Sequence, residues 1–354
     1  MIAALSVDVG NIIFGAESAT GVKVWNKSDL QEQGQYWYDL EHKLLYLYAD
    51  ENPAVRYGRI ECALREHIID QSNTSYVIYE NLALKYGAAH GIGGGSTHHI
   101  IVRNCEISYI GGGDQYQDGR TVRFGNGVEF WGNAHDNLVE SCQLWEIYDA
   151  ALTNQNNGPH VRQHNIVYRN NVIWNCEYSF EYWNRPTSST TDSIYFINNT
   201  AVNAGWGWGH TQRPDPSGRH LCFYDSSAPA HGIVIRNNIF YEAKDNAFYA
   251  PGWELGVIMV ALDMDHNLWY QAEGIMINVA KRHWTQGEFP AYQALCNKEF
   301  HSLVTEPRFV DALQNNYRLR PDSPAVNAGG YVSIGADTSD TPVQQGTGPN
   351  MGAY

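Results

Sequence analysis

Along most of the chain, hydrophobic and polar residues alternate over short stretches, and helical spacing is almost absent. Runs rich in β-branched and aromatic residues recur between Asn and Gly, which predicts strands joined by tight turns. Stacking these runs exposes an internal repeat: VRNCEIS (102–108), VESCQLW (139–145), YRNNVIW (168–174), FINNTAV (196–202), IRNNIFY (235–241) and MDHNLWY (264–270). One column reads Asn104, Ser141, Asn170, Asn198, Asn237, His266, and its neighbour Cys105, Cys142, Asn171, Asn199, Asn238, Asn267. Successive positions in the first column differ by 37, 29, 28, 39 and 29 residues, a period suited to solenoid coils. Asn suits an internal ladder, because its amide can bond the amides above and below. The pattern predicts an all-β chain, a single-stranded right-handed parallel β-helix. The connections are too short and polar for the helices of an α/β fold.

A second strand follows each ladder segment, with Ile92, Val128, Leu152, Phe180, Phe223, Phe248 and Ile275 as its expected inward residue. The corner between the two strands is long twice, 21 residues from Ile107 to Val128 and 22 from Ala201 to Phe223, against 7 or 8 elsewhere. Loops 111–126 and 203–220 should therefore stand as two walls of a lateral cleft, with two short coils as its floor. Strand alternation then turns Glu129, Thr153, Glu181 and Tyr224 outward in one column, with Trp131, Gln155, Trp183 and Ser226 beside it.

Glu129 and Glu181, two coils apart, have Cα atoms expected roughly 10 Å apart from the strand spacing. Two carboxyls across a sugar-sized gap match the acid and base, or acid and nucleophile, of glycoside hydrolysis. Indole faces suit sugar rings. Asp149, at the corner of the floor, is a third candidate able to replace either partner. Outward Glu on a β-helix is ordinarily just solvated; two in one column, each followed two residues later by Trp, between coincident insertions, favour chemistry. Trp206, Trp208, His210 and Arg213 in the second loop are candidate substrate contacts, although the two Trp could equally pack the loop down. Trp145, Trp174 and Trp269 read as packing residues.

The repeats resemble those of secreted right-handed β-helix carbohydrate-active proteins of the pectin-lyase-like superfamily, which includes glycoside hydrolases and polysaccharide lyases. HSLVTEPRFVDALQNNYRLRPDSPAVNAGG (301–330), the following IGA and the closing NMGAY are similar to the tail of such proteins. GQYWYDLEHKLLYLYADENP (34–53) resembles a small β element found ahead of their coils. The resemblance implies an N-terminal element over 1–70, coils over 71–284 and a C-terminal coil and tail over 285–354. It also implies an extracellular or periplasmic location and a polysaccharide or oligosaccharide substrate. It does not select the reaction, because one scaffold hosts many.

The composition narrows the partners. A net charge of -15 with only 17% charged residues and no basic tract disfavours nucleic acid, and no apolar run is long enough to span a membrane. The opening MIAALSVDVGNIIFG lacks the basic and apolar regions of a signal peptide; it reads as a strand, leaving room for a segment ahead of it. Six cysteines without a C-x-x-C pair indicate neither zinc ribbon nor thioredoxin chemistry; Cys105 over Cys142 reads as core filling, with a disulfide the lesser alternative. No cofactor is expected. Asp114 and Asp118 are the only calcium candidates, on a spacing that better suits a polar turn, and His98 and His99 have no third metal ligand in sequence reach.

A glycoside hydrolase is the leading reading. A polysaccharide lyase or uronate epimerase would need a base and a cation to neutralise the substrate carboxylate, for which Arg120, Arg123, His210 and Arg213 are available. A non-catalytic glycan-binding solenoid is the third reading.

Overall fold

The structure is a computed structural model that describes residues 2–334 and 348–354; Gly335 and Ala336 of the IGA stretch lie outside the described residues. It is a parallel β-helix in which each coil visits three sheets in turn. Face I has seven strands, from Ser75–Glu80 to Leu262–Asp265, and face II has eight, from Ala83–Lys85 to Leu303–Val304. Face III has nine, from Ile69–Asp70 to Arg282–Trp284, the last antiparallel to its neighbour.

Register follows the repeat. On face II, Ile107, Leu144, Ile173, Ala201 and Phe240 stand rung over rung. On face III the column is Ile92, Val128, Leu152, Phe180, Leu221, Phe248 and Ile277. Leu221 and Ile277 therefore replace the expected Phe223 and Ile275. Leu221 and Phe223 both face the core, so alternation could not choose between two inward positions two residues apart. Ile275 is exposed, ahead of its strand.

The two Asn columns divide the work. The first, Asn104, Ser141, Asn170, Asn198, Asn237 and His266, has φ between 53° and 58° throughout. It is the left-handed corner between faces I and II, which Asn tolerates better than most residues. The second column is the buried ladder. Asn171 donates from its backbone N–H (2.9 Å) and its Nδ2 (3.0 Å) to Asn199 Oδ1, and Asn199 does the same to Asn238 and Asn238 to Asn267. The second Nδ2 hydrogen of each goes to a face I carbonyl, as from Asn199 to Tyr168 at 3.0 Å. The ladder ends on Glu299, whose two carboxylate oxygens each accept from Asn267 Nδ2 at 3.1 Å. Ser302 Oγ bonds both Glu299 and the Asn267 N–H. Cys105 and Cys142 occupy the first rungs, where they are core fillers and free thiols.

Both ends of the core are covered. Within the 34–53 stretch, the antiparallel pair Gln35–Asp39 and Leu44–Leu47 forms a hairpin that packs on Val9, Ile12 and Phe14. At the other end, the helix Phe289–Cys296 inserts Phe289, Tyr292 and Cys296 into the main core. The closing NMGAY lies on face II, where Gly352, at φ 91°, leaves only 2.7 Å between an added Cβ and Ile239 Cδ1. Trp145 and Trp174 stack at 4.8 Å on that face, and Trp269 is wholly buried. Among the described residues no helix is long and apolar enough to cross a membrane.

Asn199→Ala should destabilise the fold by about 3 kcal/mol, because it orphans two buried donors of Asn171; a shift in guanidinium midpoint worth under about 1 kcal/mol would show that the ladder is dispensable. Burial pushes the Glu299 carboxyl up to about 7, against the opposing hydrogen bonds of Ser302 and Asn267. Between the ordinary carboxylate range and that value the folded chain holds more protons than the unfolded chain. Stability attributable to Glu299 must therefore fall as pH rises through that window. Glu299→Gln should flatten this decline in denaturation midpoints measured across it.

Candidate active site

The short strands Val128–Trp131, Ala150–Asn156 and Tyr178–Asn184 pair in parallel, bringing Glu129, Thr153 and Glu181 into one column and Trp131, Gln155 and Trp183 into the next. Val128, Phe130, Leu152, Phe180 and Tyr182 point into the core, so alternation turns both Glu outward, as the sequence predicts. Cys222 follows Glu181 in its column, in place of the expected Tyr224. Tyr224 stands two residues further along, its N–H bonded to Tyr182 O and its hydroxyl 2.9 Å from that of Tyr178. The two-residue error at Phe223 carries directly into this correction.

The loops do not face each other as separate walls. Loop 203–220 folds back across the corner of the short coils and meets loop 111–126. Arg123 makes the junction: Nη1 donates to Gln212 at 3.1 Å, Nη2 to Gly10 O and Nε to Gly112 O. Trp208 is pinned by Glu146, which accepts from its backbone N–H at 2.7 Å, while its indole N–H donates to Glu146 O. His210 Nδ1 lies 3.0 Å from the buried carboxylate of Glu177. Trp208 and His210 thus hold the loop in place. Trp206 is exposed, under Lys244, away from the Glu column.

The carboxyls occupy contrasting environments. Glu129, buried, receives the Nε2 of His90 in a short contact. His90 Nδ1 accepts the Asn126 N–H at 2.9 Å, which fixes the ring and leaves Nε2 as the donor. Burial pushes the Glu129 carboxyl up, but His90 and Asn126 outweigh it and hold it below the ordinary range. Glu181 has no such cation against it. Its Oε2 accepts from Gln155 Nε2 at 2.8 Å. Burial, then the charges of Asp149 and Glu129, push its carboxyl well above the usual range, with Arg213 opposing. Asp149, one fifth exposed, meets Arg213 Nη1 at 3.3 Å; burial holds its carboxyl above the ordinary range, with Arg213 opposing and the charge of Glu177 adding to the push.

Trp131, a third exposed, offers the open indole of the face, its ring edge-on to Trp183 at 5.3 Å. Trp183 is buried and covered by the Arg185 guanidinium at 4.3 Å. The four basic residues available to a lyase are engaged within the chain: Arg120 with Asp118, Arg123 at the loop junction, His210 with Glu177, and Arg213 with Asp149 and the Tyr148 carbonyl. Asp114, buried, accepts the N–H groups of Tyr116, Gln117 and Gly119, the arrangement of a polar turn.

Sequence reading missed His90, Asn126 and Glu177. His90 stands two residues before the inward Ile92, so the same register would have placed it one coil from Asn126. Glu177 stands one coil from Asp149 by that rule.

No family model matches the chain, and no curated protein matches it. Among solved structures it is similar to a hyperthermoactive exopolygalacturonase from Thermotoga maritima, at 15% identity and TM-score 0.39 over 65% of this chain and 53% of that one. It is also similar to a glycoside hydrolase, at 10% identity and TM-score 0.42 over 72% of this chain and 55% of that one. The matched part spans about half the length of these structures.

His90→Gln should raise the Glu129 carboxyl, since burial then acts with little opposition. Carbon-13 NMR titration of labelled Glu side chains reads this, and an unmoved Glu129 resonance would remove His90 from the account.

Proposed function

We propose that the protein is a glycoside hydrolase acting on a polysaccharide or oligosaccharide on face III, at the column of Glu129 and Glu181. Glu181 is the general acid and Glu129 the general base that activates water. The observation that carries this is the opposite displacement of two carboxyls in one column, Glu129 held below the ordinary range by His90 and Asn126 against burial and Glu181 pushed well above it by burial, the separation an acid and a base need at one pH. Asp149, paired with Arg213, adds to the upward push on the Glu181 carboxyl. Trp131 stacks on a sugar ring, and Gln155 and Tyr224 flank it with hydrogen-bonding groups.

Inversion is the favoured stereochemistry. The two Glu stand two rungs apart, and Glu129 leans towards His90 on the preceding coil, away from Glu181. A wide separation leaves room for the water of an inverting displacement, whereas a covalent intermediate needs carboxyls about 5–5.5 Å apart. Neutral or lightly charged glycans suit the acidic surface better than polyuronates. The extracellular or periplasmic location implied by the resemblance belongs to the same reading.

Reducing-end release from a panel of glycans should fall by about 10²–10⁴-fold in Glu129→Gln and in Glu181→Gln. The acid limb of the pH–rate profile should follow Glu129 and the basic limb Glu181. Proton NMR of the first product should show the inverted anomer. Formation of an unsaturated uronide, or full activity in both variants, would overturn the assignment.

A further inference from the structure

Face I carries a second, unrelated constellation on its outer surface. Strand register stacks Ser75, His98, His135, His164, Asp192 and His231 in one column. The rings of His98 and His135 are parallel at 5.0 Å, and those of His135 and His164 at 4.8 Å. The next residue in each coil is left-handed: His99, Asp136, Asn165, Ser193 and Gly232 have φ between 52° and 62°. That bulge breaks the strand's alternation, so His135 and Asp136 both reach the half-buried outer surface although they are consecutive.

The consequence is a convergent donor set. His135 Nδ1 lies 2.6 Å from Asp136 Oδ2, and Asn165 Nδ2 holds the other carboxylate oxygen at 2.6 Å. His164 Nδ1 is buried and has no hydrogen-bond partner among the described residues. Ligand atoms of His135, Asp136 and His164 all lie within 4.8 Å of one another. From this geometry we infer a binding site for a divalent transition-metal ion of the zinc, nickel or copper type, held by His135, Asp136 and His164.

Imidazole with one carboxylate selects borderline metals over calcium or magnesium. Ring rotation closes the present spacing towards the ~3.3 Å ligand–ligand edge that ~2.0–2.1 Å bonds require in a tetrahedron. The ion takes the place of the proton shared by His135 Nδ1 and Asp136 Oδ2. Asn165 acts as the partner that orients the carboxylate, a role that normally accompanies a metal ligand. Ring stacking alone, as in Trp145 on Trp174, accounts for the column of imidazoles. It does not account for the oriented carboxylate or the orphaned His164 nitrogen.

A second group, Asp265, His266 and His301, also leaves a buried histidine nitrogen, His266 Nδ1, without a hydrogen-bond partner among the described residues, and serves as the internal control because its carboxylate is differently engaged. Its carboxylate already accepts the backbone N–H groups of both histidines as well as the His301 ring nitrogen.

Calorimetric titration of zinc into the chelator-stripped full chain should show one equivalent bound in the micromolar range or tighter. His164→Ala and Asp136→Asn should each weaken it at least about 10-fold, and His301→Ala should leave it unchanged. On the wild-type chain, zinc should protect His135 and His164 from diethylpyrocarbonate, mapped by mass spectrometry, a readout that needs no variant to fold. Absence of that protection, binding that survives both variants, or binding lost in His301→Ala instead would each overturn the site.

Discussion

Every functional feature of this chain depends on one spacing. In a parallel solenoid the nearest neighbour of a side chain lies not along the strand but one coil away, at about 4.8 Å. A ladder of buried Asn holds successive coils in step, because each amide satisfies the N–H and the side chain of the rung before it. A slip of one residue would break that chain of bonds and turn the core face outward. The interior thereby dictates what meets on the exterior: with Val128 over Leu152 over Phe180 inside, Glu129 and Glu181 must share an outward column.

Bringing three carboxyls to one corner creates an electrostatic problem, and the chain solves it unevenly. Glu129 has His90, held by the Asn126 N–H so that its donor nitrogen faces the carboxylate. Asp149 has Arg213, delivered by the loop that folds back over the short coils. Glu181 accepts from the amide of Gln155 and feels both neighbouring charges, with Arg213 opposing. The carboxyl pushed well above the ordinary range is thus one whose oxygens touch no cation. Loop 203–220 enters this distribution of charge through Arg213, while Trp208 and His210 anchor it.

The periodic part of this was legible in the sequence and the aperiodic part was not. The coils, the ladder and the outward Glu pair all follow from residues recurring at equivalent positions. The register failed where the long loop enters face III, because Leu221 and Phe223 both fit an inward slot, and Tyr224 was misplaced with them. The loops' destinations were also out of reach. Arg123 bonding Gln212 and Gly10, or Glu146 seizing Trp208, joins residues far apart in sequence with no repeat to connect them. His90 was recoverable in principle by carrying the register of Ile92 and Val128 two residues back.

The left-handed positions show how a regular scaffold acquires irregular chemistry. A strand normally sends consecutive side chains to opposite faces, so each coil offers an outward column only at every second residue. A left-handed residue interrupts that alternation and lets two consecutive side chains emerge together. At the corner between faces I and II the break simply turns the chain, and Asn fills most of the column because it tolerates the conformation. Within face I the same break recurs at His99, Asp136 and Asn165, where it sets a carboxylate beside an imidazole and an amide behind the carboxylate. Stacking repeats such a break on every coil, so a conformation that is uncommon in a single strand becomes a column. Columns of this kind are where donors from separate coils can converge on one ligand.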